Sequence, residues 1–245
     1  MSRVVLVTGA SRGIGKAIAE NFAKNGATVI LNYFSNGSIA DEVCKELNSS
    51  YNTNCIAVQA DVSKQDEVQR MFACIRDKFG KLDVLVNCAG ITRDQLACFM
   101  SSDEWNSVLE TNLSGAFYCC KEALMLLSGG EFPSIINISS VNGLIGSVGQ
   151  INYSASKAGL IAITKTLAKE VARLGITVNV VAPGLIDSGM AEGITDKRKE
   201  ELLSNIPLGR LGKTDEVAEL VQFLSGEKAR YITGQTFIID GGLSC

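Results

Sequence analysis

Seven short apolar runs, rich in β-branched residues, punctuate the chain at 4–8, 28–31, 55–58, 84–86, 135–138, 177–181 and 236–239. They are continuous rather than alternating, which marks strands buried on both faces, as in a parallel sheet. Between them lie segments of helical period. In the first, Ile14, Ile18 and Phe22 stand four apart and Gly26 follows as a C′ residue. Strict strand–helix alternation predicts an α/β fold: one doubly wound (Rossmann) parallel seven-stranded sheet with helices on both faces. No repeat, linker or low-complexity tract interrupts the pattern, so residues 1–245 read as one domain. Residues 184–212, following the sixth strand, are the least regular and are expected to form a substrate lid.

The chain lacks histidine altogether. That excludes a Ser-His-Asp triad, a Cys-His pair and an HExxH zinc site. Proton transfer near neutral pH falls to Tyr, Lys, Cys, a carboxylate or water. The 8 cysteines form no CxxC pair, so no metal site is expected. They read as reduced thiols, mostly small core residues, in a cytoplasmic or similarly reducing compartment. An organelle reached after removal of a targeting segment stays open. No apolar run approaches a membrane span, and a net charge of -3 without a basic run argues against nucleic acid as a partner.

The first strand runs into Thr8-Gly9-Ala10-Ser11-Arg12-Gly13-Ile14-Gly15. Glycines at 9, 13 and 15 permit a sharp turn and close backbone approach, and the following helix N-terminus offers N–H groups to a pyrophosphate. The end of the second strand, from Asn32 to Asn36, carries no carboxylate. An acid there serves the ribose hydroxyls of NAD, whereas Arg12 without one suits the 2′-phosphate of NADP(H). Later, Tyr153 and Lys157 stand at i and i+4 on a long helix spanning 152–174, and Ser140 closes the fifth strand. Their chemistry suits carbonyl reduction. The expectation is that the Lys157 ammonium, with the positive charge of an oxidised nicotinamide, lowers the Tyr153 pKa, that Tyr153 protonates the carbonyl oxygen, and that Ser140 orients that oxygen.

Together these motifs resemble the short-chain dehydrogenase/reductases over almost the whole chain. Further parts of the likeness are Asp61-Val62, Asn87-Cys88-Ala89-Gly90, Asn112-Leu113-Ser114-Gly115, Tyr153-Ser154-Ala155-Ser156-Lys157, Pro183-Gly184 and Asp240-Gly241-Gly242. Within the family the chain is most similar to the bacterial-type 3-oxoacyl-[acyl-carrier-protein] reductases. The resemblance implies a catalytic tetrad of Asn112, Ser140, Tyr153 and Lys157, with Lys157 also on the nicotinamide ribose and Asn112 on a water relay. It implies cofactor contacts from the glycine turn (Gly9, Ser11, Arg12, Gly13, Ile14 and Gly15) and from Asn32. Asp61 and Val62 would meet the adenine, and Asn87, Ala89 and Gly90 would line the cofactor. Pro183, Gly184 and Ile186 would approach the nicotinamide, with Tyr153 and Lys157 beside it.

The implied reaction is NADPH-dependent reduction of a 3-oxoacyl thioester to the 3-hydroxyacyl thioester in fatty-acid synthesis. The alternatives are reduction or oxidation of a coenzyme A thioester or another small ketone or alcohol, and a non-catalytic dinucleotide-binding subunit. The implied assembly is a homotetramer, with helices over 112–127 and 152–174 as candidate interfaces. Two departures stand out. Cys88 replaces the second Asn of Asn-Asn-Ala-Gly, and 123–134 has no Lys or Arg where carrier-protein reductases carry basic residues. An acidic carrier protein is normally steered by a positive patch.

Overall fold

A strand in the middle of a parallel sheet must bury both its faces, and β1 (Val4–Val7) does so with every residue. Val5 and Val7 join one core, whereas Val4 and Leu6 join the other on the opposite face. The computed structural model describes residues 2–187 and 203–245. Most of the stretch expected to form a lid, 188–202, lies outside the described residues.

Seven strands form one sheet in the order β3-β2-β1-β4-β5-β6-β9, and every pairing is parallel. They are β1, β2 (Thr28–Tyr33), β3 (Ile56–Gln59), β4 (Val84–Asn87), β5 (Ser134–Ile138), β6 (Thr177–Pro183) and β9 (Thr236–Ile239). Each coincides with one of the apolar runs to within two residues. Helices α1 (Gly13–Lys24), α2 (Gly37–Tyr51) and α8 (Thr214–Leu224) cover one face through side chains such as Ile18, Phe22, Leu47 and Val221. Helices α3 (Gln65–Phe79), α5 (Gly115–Leu127) and α7 (Ile151–Val171) cover the other through Met71, Ile75, Leu127 and Val171. This is the doubly wound fold.

Chain order runs outward from β1 to β3 and then returns across β1 to β4. The carboxyl ends of β1 and β4 therefore diverge into different crossovers and leave a crevice between them, where this architecture binds ligands. Elements the periodicity did not foreshadow cluster at that edge. They are α4 (Ser102–Leu109), a π-helical turn (Glu110–Ser114), the single turn α6 (Asn142–Ile145), and a two-residue pair, β7 (Ile186–Asp187) with β8 (Gly212–Lys213). Four cysteines (Cys44, Cys55, Cys119 and Cys120) are buried core residues, while Cys98 and Cys245 are exposed. Among the described residues no helix is long and apolar enough to cross a membrane.

Asparagines interrupt the apolar strands, and they act as internal staples. Asn87 on β4 lies in register with Asn137 on β5. The Asn87 Nδ2 donates to Asn137 Oδ1 at 2.8 Å, and Asn137 Nδ2 donates to Thr164 Oγ1 on α7, also at 2.8 Å. Asn137 is fully buried, so each partner left unpaired loses a bond that water cannot replace. The expected outcome of Asn137→Leu is a destabilisation of roughly 2–3 kcal/mol, read by urea unfolding, with part of it recovered in Asn137→Leu/Thr164→Val.

Candidate active site

The turn after β1 is set by backbone geometry that only glycine accommodates. Gly9 has φ +64°, and a Cβ there would stand 2.7 Å from Ala89 Cα. The loops leaving β1 and β4 thus touch backbone to backbone. Thr8 ties them together, its Oγ1 accepting from the Cys88 and Ala89 N–H groups at 3.0 Å each. Behind the turn, Gly15 packs so closely that a Cβ would meet the Gly9 carbonyl oxygen at 2.5 Å. The N-terminus of α1 carries no side-chain cap and no acidic residue in its first turn. Arg12 is exposed there, and no side chain among the described residues bonds it. A helix start with no side-chain cap, a backbone-lined turn and an exposed cation suits a phosphate-bearing dinucleotide.

The four residues of the implied tetrad come from three elements that meet beside Gly90. Asn112 sits in the π-helical turn, a local distortion that often marks a functional position. Its side chain pairs with Ile91 as a strand would: Oδ1 accepts from Ile91 N at 2.8 Å and Nδ2 donates to Ile91 O at 2.9 Å. A second bond runs from Nδ2 to Ser156 Oγ on α7 at 3.1 Å. Lys157 is buried on α7, and its ammonium donates to the Ile138 carbonyl at 2.8 Å. It lies 5.5 Å from the centre of the Tyr153 ring. The Ser140 hydroxyl accepts from Asn142 N at 3.2 Å, and it acts on the Tyr153 phenol, whose pKa it lowers. A Cβ on Gly90 would stand 3.3 Å from Asn112 Oδ1 and 3.6 Å from Lys157 Nζ, so Gly90 links the first crevice to this cluster.

The other predicted positions divide. Gly184 packs against Asp240, a Cβ there falling 2.6 Å from Asp240 Cβ, and Pro183 accepts from Val141 N at 3.0 Å. Ile186 borders a cleft of about 80 Å³ lined with Leu208, Arg210, Gly212 and Asp240. Asp61 is half-buried, its carboxylate accepting from Ser63 N at 2.9 Å, and Val62 packs into the core below α5. Asn32 is different. It is buried, and its amide bridges to the Val58 and Ala60 carbonyls at 3.3 and 3.1 Å while its Oδ1 accepts from Gly9 N at 3.4 Å. It shapes the glycine turn from behind rather than presenting a free polar atom. Asn87 likewise turns its amide nitrogen into the Asn137 staple. Sequence reasoning missed Asn142, Gln150, Asn152 and Asp94, which brace the loops around Ser140 and Tyr153. Asn142 and Gln150 stand eight residues apart, but the partners that reach across loops lie 56 and 59 residues away, and no local spacing signals them.

Comparison with known proteins agrees with this geometry. A family model described as Enoyl-(Acyl carrier protein) reductase matches residues 9–244. The 3-oxoacyl-[acyl-carrier-protein] reductase FabG of Staphylococcus aureus (strain N315) is 46% identical over 243 residues, covering 99% of this chain and 98% of its own length. The FabG of Staphylococcus epidermidis (strain ATCC 12228) is 44% identical over 243 residues, covering 99% of each chain. A 3-oxoacyl-[acyl-carrier-protein] reductase of Synechocystis sp. is 48% identical over 243 residues, covering 99% of this chain and 97% of its own. The chain belongs to the short-chain dehydrogenase/reductase family. Family membership makes it an oxidoreductase of the nicotinamide-dinucleotide-dependent kind.

The acidified phenol expected from the sequence needs the charge of an oxidised nicotinamide as well as Lys157. In the protein alone, burial dominates and holds the Tyr153 phenol above its ordinary pKa, with the Ser140 hydroxyl as the opposing effect and nearby Cys88 and Asp94 adding to the rise. Tyr153 is thus a protonated donor throughout the neutral range. Lys157 moves the other way: burial lowers its pKa to about 8, against a small raising influence from Cys88. The unfolded chain holds this proton more tightly than the folded one between about pH 8 and the ordinary lysine value. The burden on stability is therefore complete below pH 8 and is relieved as pH rises through that window. Relative to Lys157→Met, which lacks the titration, the native chain is expected to gain roughly 2 kcal/mol of unfolding free energy between pH 7.5 and 10, measured by denaturant unfolding.

Proposed function

We propose that this chain reduces the 3-oxo group of a 3-oxoacyl thioester to the 3-hydroxyacyl thioester, with NADPH, as a step of fatty-acid synthesis. The observation carrying this reading is the buried Lys157 ammonium 5.5 Å from the centre of the Tyr153 ring, with the Ser140 hydroxyl acting on the same phenol. Two hydroxyl donors at one point suit a carbonyl oxygen that gathers charge as its carbon is attacked. The relatives whose printed names specify 3-oxoacyl-[acyl-carrier-protein] reduction support the substrate class.

NADPH would be held at the N-terminus of α1 by the turn from Gly9 to Gly15, with Ser11 and Ile14 in it and Arg12 taking the 2′-phosphate. Asp61, Val62, Ala89 and Gly90 would line it, with Asn32 and Asn87 shaping its walls, and Pro183, Gly184 and Ile186 would border its reactive end. When bound, it supplies the hydride. Tyr153 then gives its phenol proton to the substrate oxygen, and Ser140 donates a second hydrogen bond to that oxygen. Lys157, within 5.5 Å of the Tyr153 ring, favours the phenolate left behind. Asn112 holds the backbone at Ile91 and would anchor the water that returns the proton. The carrier is acyl carrier protein in the named relatives, and the absence of basic residues over 123–134 makes coenzyme A the alternative. Exposed apolar side chains on α5, Phe117 and Met125, support assembly into a homotetramer, and 8 free cysteines support a reducing, cytoplasmic setting.

Turnover of acetoacetyl thioesters with NADPH tests this reading. Tyr153→Phe is expected to lower kcat by about 10²–10⁴-fold while NADPH binding persists. Crotonyl thioesters, the substrates of an enoyl reductase, are expected to give no turnover, and equal turnover of both would overturn the ketone assignment. Faster turnover on the carrier protein than on coenzyme A supports the named carrier. Arg12→Ala is expected to weaken NADPH about tenfold, read by fluorescence titration, and to leave NADH unchanged.

A further inference from the structure

The Ser140 hydroxyl has one acceptor direction already taken. It accepts from Asn142 N at 3.2 Å, while Gly143 N donates to the Ser140 carbonyl at 3.0 Å. Accepting there leaves its own proton free to point toward Tyr153 and a substrate oxygen. The direction of that proton thus depends on where Asn142 sits. Asn142 opens the single turn α6, which is too short to hold itself in place. Its side chain is held from outside: Nδ2 donates to Gln150 Oε1 at 2.7 Å. Gln150 is held in turn, its Nε2 donating to Asp94 Oδ2 at 2.8 Å. Asp94 lies on the loop after β4, 56 residues away in sequence.

We propose that Asp94, Gln150 and Asn142 form a positioning brace for Ser140, with Gln150 as the link between Asp94 and Asn142. The two loops also have ties of their own. Gln95 N donates to Gly149 O at 2.8 Å, and the buried Asn152 Nδ2 donates to Arg93 O at 2.9 Å. On the other side α6 is pressed against α7, where a Cβ on Gly143 would fall 2.8 Å from the Lys157 carbonyl carbon. With the loops already joined, the side-chain chain from Asp94 is free for a finer task. It aims one hydroxyl, a positioning role through Asn142 rather than contact with the reacting atoms.

This inference rests on the proposed carbonyl reduction. The test uses the purified full chain, NADPH and acetoacetyl-coenzyme A. Gln150→Ala removes the joint. Q150E sets a carboxylate against the Asp94 carboxylate and breaks it by repulsion. D94N/Q150E restores it with the polarity reversed, since the new amide at 94 donates to the new carboxylate at 150, which still accepts from Asn142. The expected result is a fall of about tenfold in kcat for Gln150→Ala and Q150E, an unchanged KM for NADPH, and recovery of most of kcat in D94N/Q150E. A merely structural role would not be rescued by reversing the polarity. Unchanged kcat in Q150E, a loss carried by the KM for NADPH, or failure of D94N/Q150E to recover would each overturn the brace while leaving the reductase reading intact. A native chain inactive on 3-oxoacyl thioesters would overturn both.

Discussion

An ammonium buried beneath a sheet edge is the demand around which this site is organised. Lys157 is 4% exposed and has one carbonyl, that of Ile138, as its hydrogen-bond partner. Removing a cation from water is unfavourable unless the surroundings are rigid and polar. The neighbouring structure supplies that rigidity. The Ser139 hydroxyl donates to the Lys157 carbonyl at 2.8 Å, α6 closes over α7 at Gly143, and Gly90 lets the β4 loop approach the ammonium. The same burial that lowers the Lys157 pKa raises that of Tyr153. One low-dielectric pocket therefore keeps the phenol a proton donor and places a cation where a phenolate would form.

The parallel sheet makes that pocket possible by sending the carboxyl ends of all its strands to one edge. Ser140 follows β5, Gly9 follows β1 and Gly90 follows β4, so residues as far apart as Thr8 and Ala89, 81 positions in sequence, meet without any long loop. Asparagines give the edge its stiffness. Asn32, Asn112 and Asn152 each satisfy backbone groups of loops that would otherwise be unpaired at the rim. An amide both donates and accepts, which suits it to joining a strand end to a loop of no fixed pattern.

Much of this was legible from residues alone, for identifiable reasons. Continuous β-branched runs located all seven strands because strands buried on both faces cannot carry alternating polarity. The glycines at 9 and 15 were legible because a missing side chain is the signature of backbone meeting backbone. Spacing of four on a helix placed Tyr153 above Lys157. The sign of the Tyr153 shift was not legible, because charge proximity is visible in a sequence and desolvation is not. Asn32 was read as facing a ligand, and it proved to be a bridge beneath the turn. Its position at the end of β2 was plain, but the direction of its amide depends on carbonyls of β3 that only folding brings near.

By itself, the sequence determined the class of the molecule: a parallel α/β sheet, a phosphate-suited turn, and chemistry that must run without histidine. Periodicity and residue type are local properties, so local inspection recovers them. Tertiary structure alone decided the rise in the Tyr153 pKa, the burial of Lys157, and the hydrogen-bond chain from Asp94 through Gln150 to Asn142. Those depend on solvent exclusion and on contacts between loops far apart in the chain, and neither exists until the sheet has assembled.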